Sequence, residues 1–133
     1  MTPVNDRISR AGQEQIIAAL APFQPAVIYL FGSFGTAAQH PASDIDLAFL
    51  PTIPVGPFVC FETAGHLSEV LGKTVDLIDL TRATTVMAKE VLRTGIPLAV
   101  AEPIRRSYFE MRTLADYARL NEERQPVLTA LES

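Results

Sequence analysis

The sequence predicts an α/β (α+β) fold in which a small mixed β-sheet is flanked by helices. Short apolar or alternating segments, typical of strands, are separated by longer segments with helical start and stop signals. One pair of strand segments is joined by a link too short for a helical crossover, whereas the next pair encloses a whole predicted helix. The chain has 133 residues, of which 48% are hydrophobic, and this is enough to bury one core. We therefore expect a single domain over residues 1–133.

The amino-terminal part of the chain is predicted to contain one helix and two strands. The helix covers Ile8 to Ala21 and ends at Pro22. Ala26 to Phe31 (AVIYLF) is a continuous apolar run, as expected of a strand that is buried on both faces. Asp44 to Leu50 (DIDLAFL) alternates between polar and apolar residues at its start. It is therefore predicted to be a strand whose two aspartates point to the same face.

The rest of the chain is predicted to contain three helices and two strands, placed by glycine and proline signals. In chain order these are a helix from Phe58 to Leu71 with Pro57 in its first turn and Gly72 after it, a strand from Thr74 to Leu80, a helix from Thr84 to Thr94 ending at Gly95, a strand from Ile96 to Val100, and a carboxy-terminal helical segment over about residues 102–131. Pro126 is expected to end or kink this last helix. The predicted order is therefore α-β-β-α-β-α-β-α.

The last helix carries large apolar residues at intervals of three or four. They are Ile104, Tyr108, Met111, Leu114, Tyr117 and Leu120. We expect this stripe to cover the sheet of the protein itself. Alternatively, Tyr108, Met111 and Tyr117 dock a helical partner.

The composition excludes several classes of protein. The formal charge is −4, and no basic run is longer than Arg105-Arg106, so we do not expect general nucleic-acid binding. The only cysteine, Cys60, excludes an internal disulfide and a cysteine-based zinc site. Two histidines, His40 and His66, are too few and too far apart for a zinc cluster. The first residues lack an apolar signal core and no apolar run approaches the ~20 residues of a membrane span, so we expect a cytoplasmic protein without membrane contact.

The predicted strand directions bring several polar residues to one corner of the sheet. Only positions 34 to 43 separate the first two strands, so these strands are predicted to be antiparallel neighbours, with Ser33 close to Asp44. Asp44 and Asp46 share a face, about 7 Å apart along the strand. The third strand is predicted to run parallel to the second, which places Asp76 level with both. Asp79 lies roughly 10 Å further on and is better explained as a strand-end or turn residue.

This cluster predicts a metal site. Two unit charges 4 Å apart repel each other by about 4 kcal/mol at an effective dielectric constant near 20, so Asp44, Asp46 and Asp76 require a neutralising partner. A set of ligands made only of oxygen indicates a hard cation, Mg²⁺ or Mn²⁺. Two such ions about 3.5–4 Å apart are typical of sites that displace a phosphoryl group.

The Gly-Ser pair before the loop supplies features that suit a phosphate. Gly32 allows a phosphate to approach the backbone closely, and the Ser33 hydroxyl is a hydrogen-bond donor. No Gly-Lys-Ser/Thr follows, so this segment is not a P-loop. Together with the carboxylates, the pair is consistent with binding of a metal-bound phosphate.

These residues resemble a known family. Gly32-Ser33, ten further residues, Asp44-x-Asp46 and a later strand with Asp76 are similar to the signature of the DNA polymerase β-type nucleotidyltransferase superfamily. At this length the chain most resembles the minimal nucleotidyltransferases, many of which are antitoxins encoded beside a HEPN-domain ribonuclease toxin. The resemblance implies a polymerase β palm-like fold and the transfer of AMP from ATP to a tyrosine of that toxin, with release of pyrophosphate.

The resemblance also implies roles for single residues. Gly32 and Ser33 would hold the triphosphate. Asp44 and Asp46 would bind the metal ions, and Asp76 would bind the catalytic metal and assist deprotonation of the attacking hydroxyl.

One segment departs from the family pattern. The loop after Gly-Ser commonly reads F-A-R-G in the family, whereas here it reads F-G-T-A over positions 34–37 and lacks the arginine. Two alternatives therefore stay open: a non-catalytic antitoxin that neutralises its toxin by binding, and a small-molecule nucleotidyltransferase of the aminoglycoside-modifying kind. Arg82, after the third strand, either contacts a phosphate or is a solvated surface residue.

Overall fold

A computed structural model of the chain describes residues 8–32 and 45–132, with side chains described as far as Arg124. Its elements are α1 (Arg10–Leu20), a short 3₁₀ helix (Ala21–Phe23), β1 (Val27–Phe31), β2 (Ile45–Phe49), α2 (Pro57–Leu71), β3 (Val75–Asp79), α3 (Thr85–Thr94), β4 (Ile96–Val100) and α4 (Pro103–Glu132). The predicted order of helices and strands is confirmed, with the 3₁₀ turn as an addition.

The four strands form one mixed sheet in the order β3-β2-β1-β4. β1 and β2 are antiparallel, and β2 and β3 are parallel, as the lengths of their connections predict. β4 pairs with the other edge of β1 in the antiparallel direction. The predicted α/β fold with a mixed sheet and flanking helices is therefore confirmed.

Apolar side chains cover both faces of this sheet. On one face, α1 and α2 contribute Ile16, Leu20 and Leu67 to a cluster with the alternate strand residues Ile28, Leu30, Ile45, Leu47 and Phe49. On the other face, Tyr29, Phe31 and Ala48 pack with Val91 of α3, and Phe109 of α4 lies against them. β1 is buried along its whole length because it lies inside the sheet and has helices on both sides.

Local signals explain where the helices begin and end. The Ser9 hydroxyl accepts a hydrogen bond from the Gly12 amide at 3.0 Å and caps α1. Thr84 caps α3 in the same way through the Met87 amide at 3.1 Å. Gly72 ends α2 in the left-handed conformation, with φ at +69°.

The structure corrects two predictions about α4. Pro126 does not end the helix, which continues to Glu132. A proline removes one backbone hydrogen bond, and the long helix before it already holds the conformation that the proline requires. The apolar stripe does not cover the sheet along its length, because Ile104, Tyr108 and Met111 are 86%, 63% and 70% exposed. None of the described helices, α4 included, is long and apolar enough to cross a membrane.

The residues of α4 that do face inward lie about half a turn away from the exposed stripe. Thr113 is buried, Phe109 and Tyr117 are half-buried, and Phe109 packs against the apolar cluster of the sheet. Residues four apart stay on one face of a helix, so these three form the inner side of α4. The predicted stripe therefore does not stay on one face: its first members, Ile104, Tyr108 and Met111, are exposed, whereas Tyr117 and Leu120 are half-buried.

A buried hydrogen bond attaches α4 to the sheet. Tyr29 is 1% exposed, and its hydroxyl donates to Glu110 Oε2 at 2.6 Å. Arg106 Nε donates to the same carboxylate oxygen at 3.0 Å, and its guanidinium lies 5.8 Å from the centre of the Tyr29 ring. Burial and the Glu110 carboxylate raise the pKa of the Tyr29 hydroxyl well above its usual range. The bond from Tyr29 to Glu110 thus connects β1 to α4, and Arg106 of the same helix helps to hold the Glu110 carboxylate in place.

Replacing Tyr29 with Phe should lower the free energy of unfolding by about 1.5–3 kcal/mol, because Glu110 loses a charge-assisted hydrogen bond in a partly buried place. Urea denaturation followed by circular dichroism measures this loss. Tyr108→Phe is the matched control, since Tyr108 is 63% exposed and should be neutral. Equal stability of the Tyr29→Phe and wild-type proteins would contradict this account of the α4 attachment.

The same variant gives a pH dependence with a defined sign. The folded-state pKa of Tyr29 is raised above the ordinary value of 10.0, so the unfolded chain loses this proton first as the pH rises. The stability difference between the wild type and Tyr29→Phe should therefore be constant from about pH 6 to pH 9 and shrink above about pH 10. A difference that grows above pH 10 would mean that the sign is wrong.

Candidate functional site

Strand pairing brings two of the predicted site residues next to each other. Asp46 on β2 pairs with Phe31 on β1 and with Asp76 on β3. Directly paired residues of neighbouring strands point to the same face, and the strands are about 4.8 Å apart. Asp46 is half-buried and Asp76 is exposed, so the two carboxylates border solvent. The sequence-based expectation that Asp76 is level with Asp46 agrees with this register.

Gly32 lies directly beside the Asp46 carboxylate. It follows the last residue of β1 and has a φ of +87°, a backbone conformation that favours glycine. A Cβ atom at this position would lie 2.5 Å from Asp46 Oδ2. The absence of a side chain at Gly32 therefore provides the space that the Asp46 carboxylate occupies.

Thr94 fixes the peptide group of Gly32, and sequence reasoning did not identify it. The Gly32 amide donates to Thr94 Oγ1 at 2.9 Å, and the Thr94 hydroxyl donates to the Glu90 carbonyl at 2.9 Å. Sixty-two positions separate the two residues. They meet because β4, which follows α3 directly, pairs with β1. No local sequence pattern indicates a contact between residues so far apart in the chain. The contact between Thr94 and Gly32 could have been predicted only from the order of the strands in the sheet.

Asp79 has the role in a turn that its position suggested. Its Oδ1 atom accepts from the Thr81 amide at 2.9 Å and from the Thr81 hydroxyl at 2.6 Å. The side chain is buried, and within the described part of the chain Oδ2 has no hydrogen-bond partner. Asp79 therefore terminates β3 and lies on the opposite face of the sheet from Asp76.

A groove of about 360 Å³ runs along the outer edge of β3 and includes Asp76. Cys60 and Phe61 of α2 form one wall, and Arg82 lies at the end of the strand. The Cys60 thiol donates weakly to the Leu77 carbonyl at 3.5 Å. Burial, and then the carboxylates of Asp79 and Asp76, raise the pKa of this thiol, so it is not an activated nucleophile. Arg82 is exposed and lines the same groove as Asp76, so its side chain supplies positive charge there.

Part of the predicted site lies outside the described residues. Ser33, Asp44 and the loop over positions 34–37 fall in the undescribed range 33–44. Within residues 8–32 and 45–124, no group of three or more acidic, histidine or cysteine side chains could hold a metal ion. The structure therefore brings together Asp46, Asp76 and Gly32 of the five predicted site residues.

The donor chemistry of this corner fits a hard cation. Asp46 and Asp76 offer carboxylate oxygens, the ligands that such a cation prefers. Two adjacent acids suit a metal-bound phosphate better than a free anion, which the acids would repel.

Replacing Gly32 with Ala should displace the Asp46 carboxylate and destabilise the fold by about 1–2 kcal/mol, because the new side chain meets Asp46 Oδ2 and disfavours the positive φ. The change is measured as a lower melting temperature. Gly65→Ala is the control with the opposite sign: a Cβ there meets nothing within 4 Å and the residue lies inside α2. That variant should be more stable by up to about 1 kcal/mol. An unchanged melting temperature for Gly32→Ala would mean that the close approach to Asp46 is absent.

Comparisons with known proteins agree with this geometry. Residues 14–103 match the family described as polymerase beta, nucleotidyltransferase. The protein adenylyltransferase MntA of Shewanella oneidensis is 35% identical over 102 residues, which are 77% of this chain and 73% of MntA.

Solved structures give the same result. A chain of a toxin–antitoxin complex with AMP-PNP is 32% identical with a TM-score of 0.76, and the match covers 91% of this chain and 98% of that one. A chain from the tri-AMPylated HEPN toxin of Shewanella oneidensis in complex with MNT antitoxin is 29% identical with a TM-score of 0.77, covering 93% and 98% of the two chains. The family match covers more than half of the chain, and the chain belongs to the polymerase β nucleotidyltransferase family.

Proposed function

We propose that this protein is an antitoxin that acts as a protein adenylyltransferase. It transfers AMP from ATP to a tyrosine of a cognate HEPN-domain ribonuclease toxin and thereby silences the toxin. The name of the relative from Shewanella oneidensis, the AMP-PNP in one similar complex and the AMPylated toxin in another support this assignment.

The observation that carries the proposal is the pairing of Asp46 with Asp76 beside Gly32. Two carboxylates at adjacent strand positions are costly unless a cation joins them. A metal-bound triphosphate would bring such a cation. A nucleotidyltransferase needs acids placed in this way, and Gly32 leaves room for the Asp46 carboxylate.

In the proposed reaction, the tyrosine oxygen of the toxin attacks the α-phosphorus of ATP. A phosphorus–oxygen bond forms to the tyrosine, the bond between the α-phosphorus and the bridging oxygen breaks, and pyrophosphate leaves with that oxygen. The tyrosine proton passes to Asp76, whose side chain lies at the solvent-exposed surface. Gly32 and Ser33 hold the triphosphate, and Thr94 fixes the Gly32 amide.

Asp44, Asp46 and Asp76 would together hold two divalent ions, Mg²⁺ or Mn²⁺. These ions would offset the negative charge of the triphosphate. Asp46 and Asp76 also fix each other's position through strand pairing, so these two ligands need little rearrangement on binding.

We further propose that residues 1–133 form one minimal nucleotidyltransferase domain, since a single sheet carries both apolar clusters. A cytoplasmic location would give the enzyme access to ATP.

Incubation of the protein with its toxin, ATP and Mg²⁺ should add the mass of AMP to the toxin, as measured by intact-protein mass spectrometry. Asp46→Asn and Asp76→Asn keep the size of each side chain and remove its charge, and each should slow the transfer by at least ~10²-fold. Mg²⁺-ATP should also raise the melting temperature of the wild type more than that of Asp46→Asn.

Glu14→Gln is the control, because Glu14 carries an exposed carboxylate on α1. This variant should transfer AMP at the wild-type rate. Suppression of toxicity without any added AMP would reject the enzyme and support the alternative of neutralisation by binding, which the missing arginine in the loop favours. Transfer to an aminoglycoside but not to the toxin would identify a small-molecule enzyme instead.

Thr94→Val should raise the Michaelis constant for ATP, because the Gly32 amide loses the hydroxyl that holds it. We expect about a tenfold loss in kcat/KM, the equivalent of one hydrogen bond. Thr94→Ser keeps the hydroxyl and should restore most of the activity, which a purely steric role of Thr94 would not explain. Equal kinetics for the Val and Ser variants would contradict the positioning role.

A further inference from the structure

The outer face of α4 carries a row of exposed apolar residues. It consists of Ile104, Tyr108, Met111, Ala115 and Ala118, all of them exposed. Their spacing alternates between four and three residues, which is the spacing of a seam between two packed helices. The inner side of α4 already packs against α3 and the sheet, so the outer face has no partner within the described chain.

A row of positive charge follows one side of this outer face. Arg105, Arg112 and Arg119 are seven residues apart, with side chains 60%, 69% and 69% exposed. Among the described side chains they pair with Glu102 and Asp116 of the same helical region, at 3.0 to 3.9 Å. Exposed pairs of this kind are weak and can be exchanged for better ones. The opposite side of the outer face carries uncharged residues at the same spacing: Ser107, Leu114 and Asn121.

These observations define the surface that would fit. A complementary helix needs an apolar stripe over about 20 Å, the length of the segment from Ile104 to Ala118. It also needs acidic residues on the side that faces the arginine row. The small side chains of Ala115 and Ala118 would allow a closer approach at one end of the seam than at the other.

A second copy of this chain does not supply that surface. In an antiparallel pair of α4 helices, the same sides face each other and the arginine rows would repel. In a parallel pair, each arginine row would face the uncharged side with Ser107 and Leu114. Neither arrangement provides the acidic partner that the arginines would favour.

We propose that the outer face of α4 docks an amphipathic helix of the toxin that carries an acidic row beside its apolar stripe. This inference rests on the proposed function, because it identifies where the substrate protein is held while its tyrosine reaches the site. Docking remote from the reacting atoms raises the local concentration of the acceptor tyrosine. Loss of the docking face should therefore raise the KM for the toxin and leave kcat nearly unchanged.

The test measures affinity for the purified toxin in the absence of ATP, for instance by calorimetry. A Tyr108→Ala, Met111→Ala double variant should bind the toxin at least tenfold more weakly, because it removes two of the largest apolar contacts. Both side chains are mostly exposed, so its melting temperature should not change. Phe58→Ala is the matched control: Phe58 is 70% exposed on α2, and its variant should bind as the wild type does.

The charge row has its own pair of variants. Arg112→Glu should weaken toxin binding several-fold and reduce its salt dependence, whereas Arg112→Lys should keep both. Equal losses for Glu and Lys would mean that Arg112 contributes packing and not charge complementarity.

Wild-type affinity of the Tyr108→Ala, Met111→Ala protein, or a larger loss with Phe58→Ala, would overturn the proposal. So would a dimer of the antitoxin alone that this double variant dissociates. Failure of the proposed enzymatic function gives a different result: the wild type would bind the toxin through α4 but add no AMP. Asp46→Asn separates the two, since it should bind with wild-type affinity and transfer no AMP.

Discussion

The contact between the Asp46 carboxylate and the backbone of Gly32 determines how the candidate site is built. It requires a glycine at the end of β1, a positive φ at that residue and a register that places Asp46 opposite Phe31. A shift of this register by one residue would turn Asp46 into the apolar cluster below α1 and α2. The alternating apolar residues Ile45, Leu47 and Phe49 prevent that shift, so the core of the protein holds the position of the acid.

The parallel pairing of β2 and β3 then adds Asp76. The helix α2 between them returns the chain to the start of the sheet, so both strands begin at the same end. Asp79, three residues later, points to the other face and is used in a turn with Thr81. Asp76 and Asp79 are three positions apart, and side chains alternate between the two faces of a strand. Asp76 therefore faces the candidate site, whereas Asp79 faces the other side and forms the turn.

Much of this arrangement could be predicted from the sequence because its signals are local. The alternation in DIDLAFL, the short link before it and Gly72 after α2 give strand directions, and the directions place Asp46 beside Asp76. Thr94 could not be found in this way, because its contact with Gly32 depends on the position of β4 in the sheet. The inner side of α4 was also beyond prediction. Periodicity defines an apolar stripe, but buried Thr113 and the Tyr29–Glu110 hydrogen bond decide which side faces the sheet.

Thr94 is also the last residue of α3, so its hydrogen bond with the Gly32 amide joins this helix to the candidate site. α3 packs against α4, so the chain of contacts leads from the outer helix through α3 to the Gly32 amide. A shift of α3 by about 0.5 Å would take the bond between Thr94 and Gly32 out of its normal range of about 2.7–3.2 Å. The conformation of Gly32 therefore depends on where α3 lies, and the packing of α3 against α4 contributes to that position.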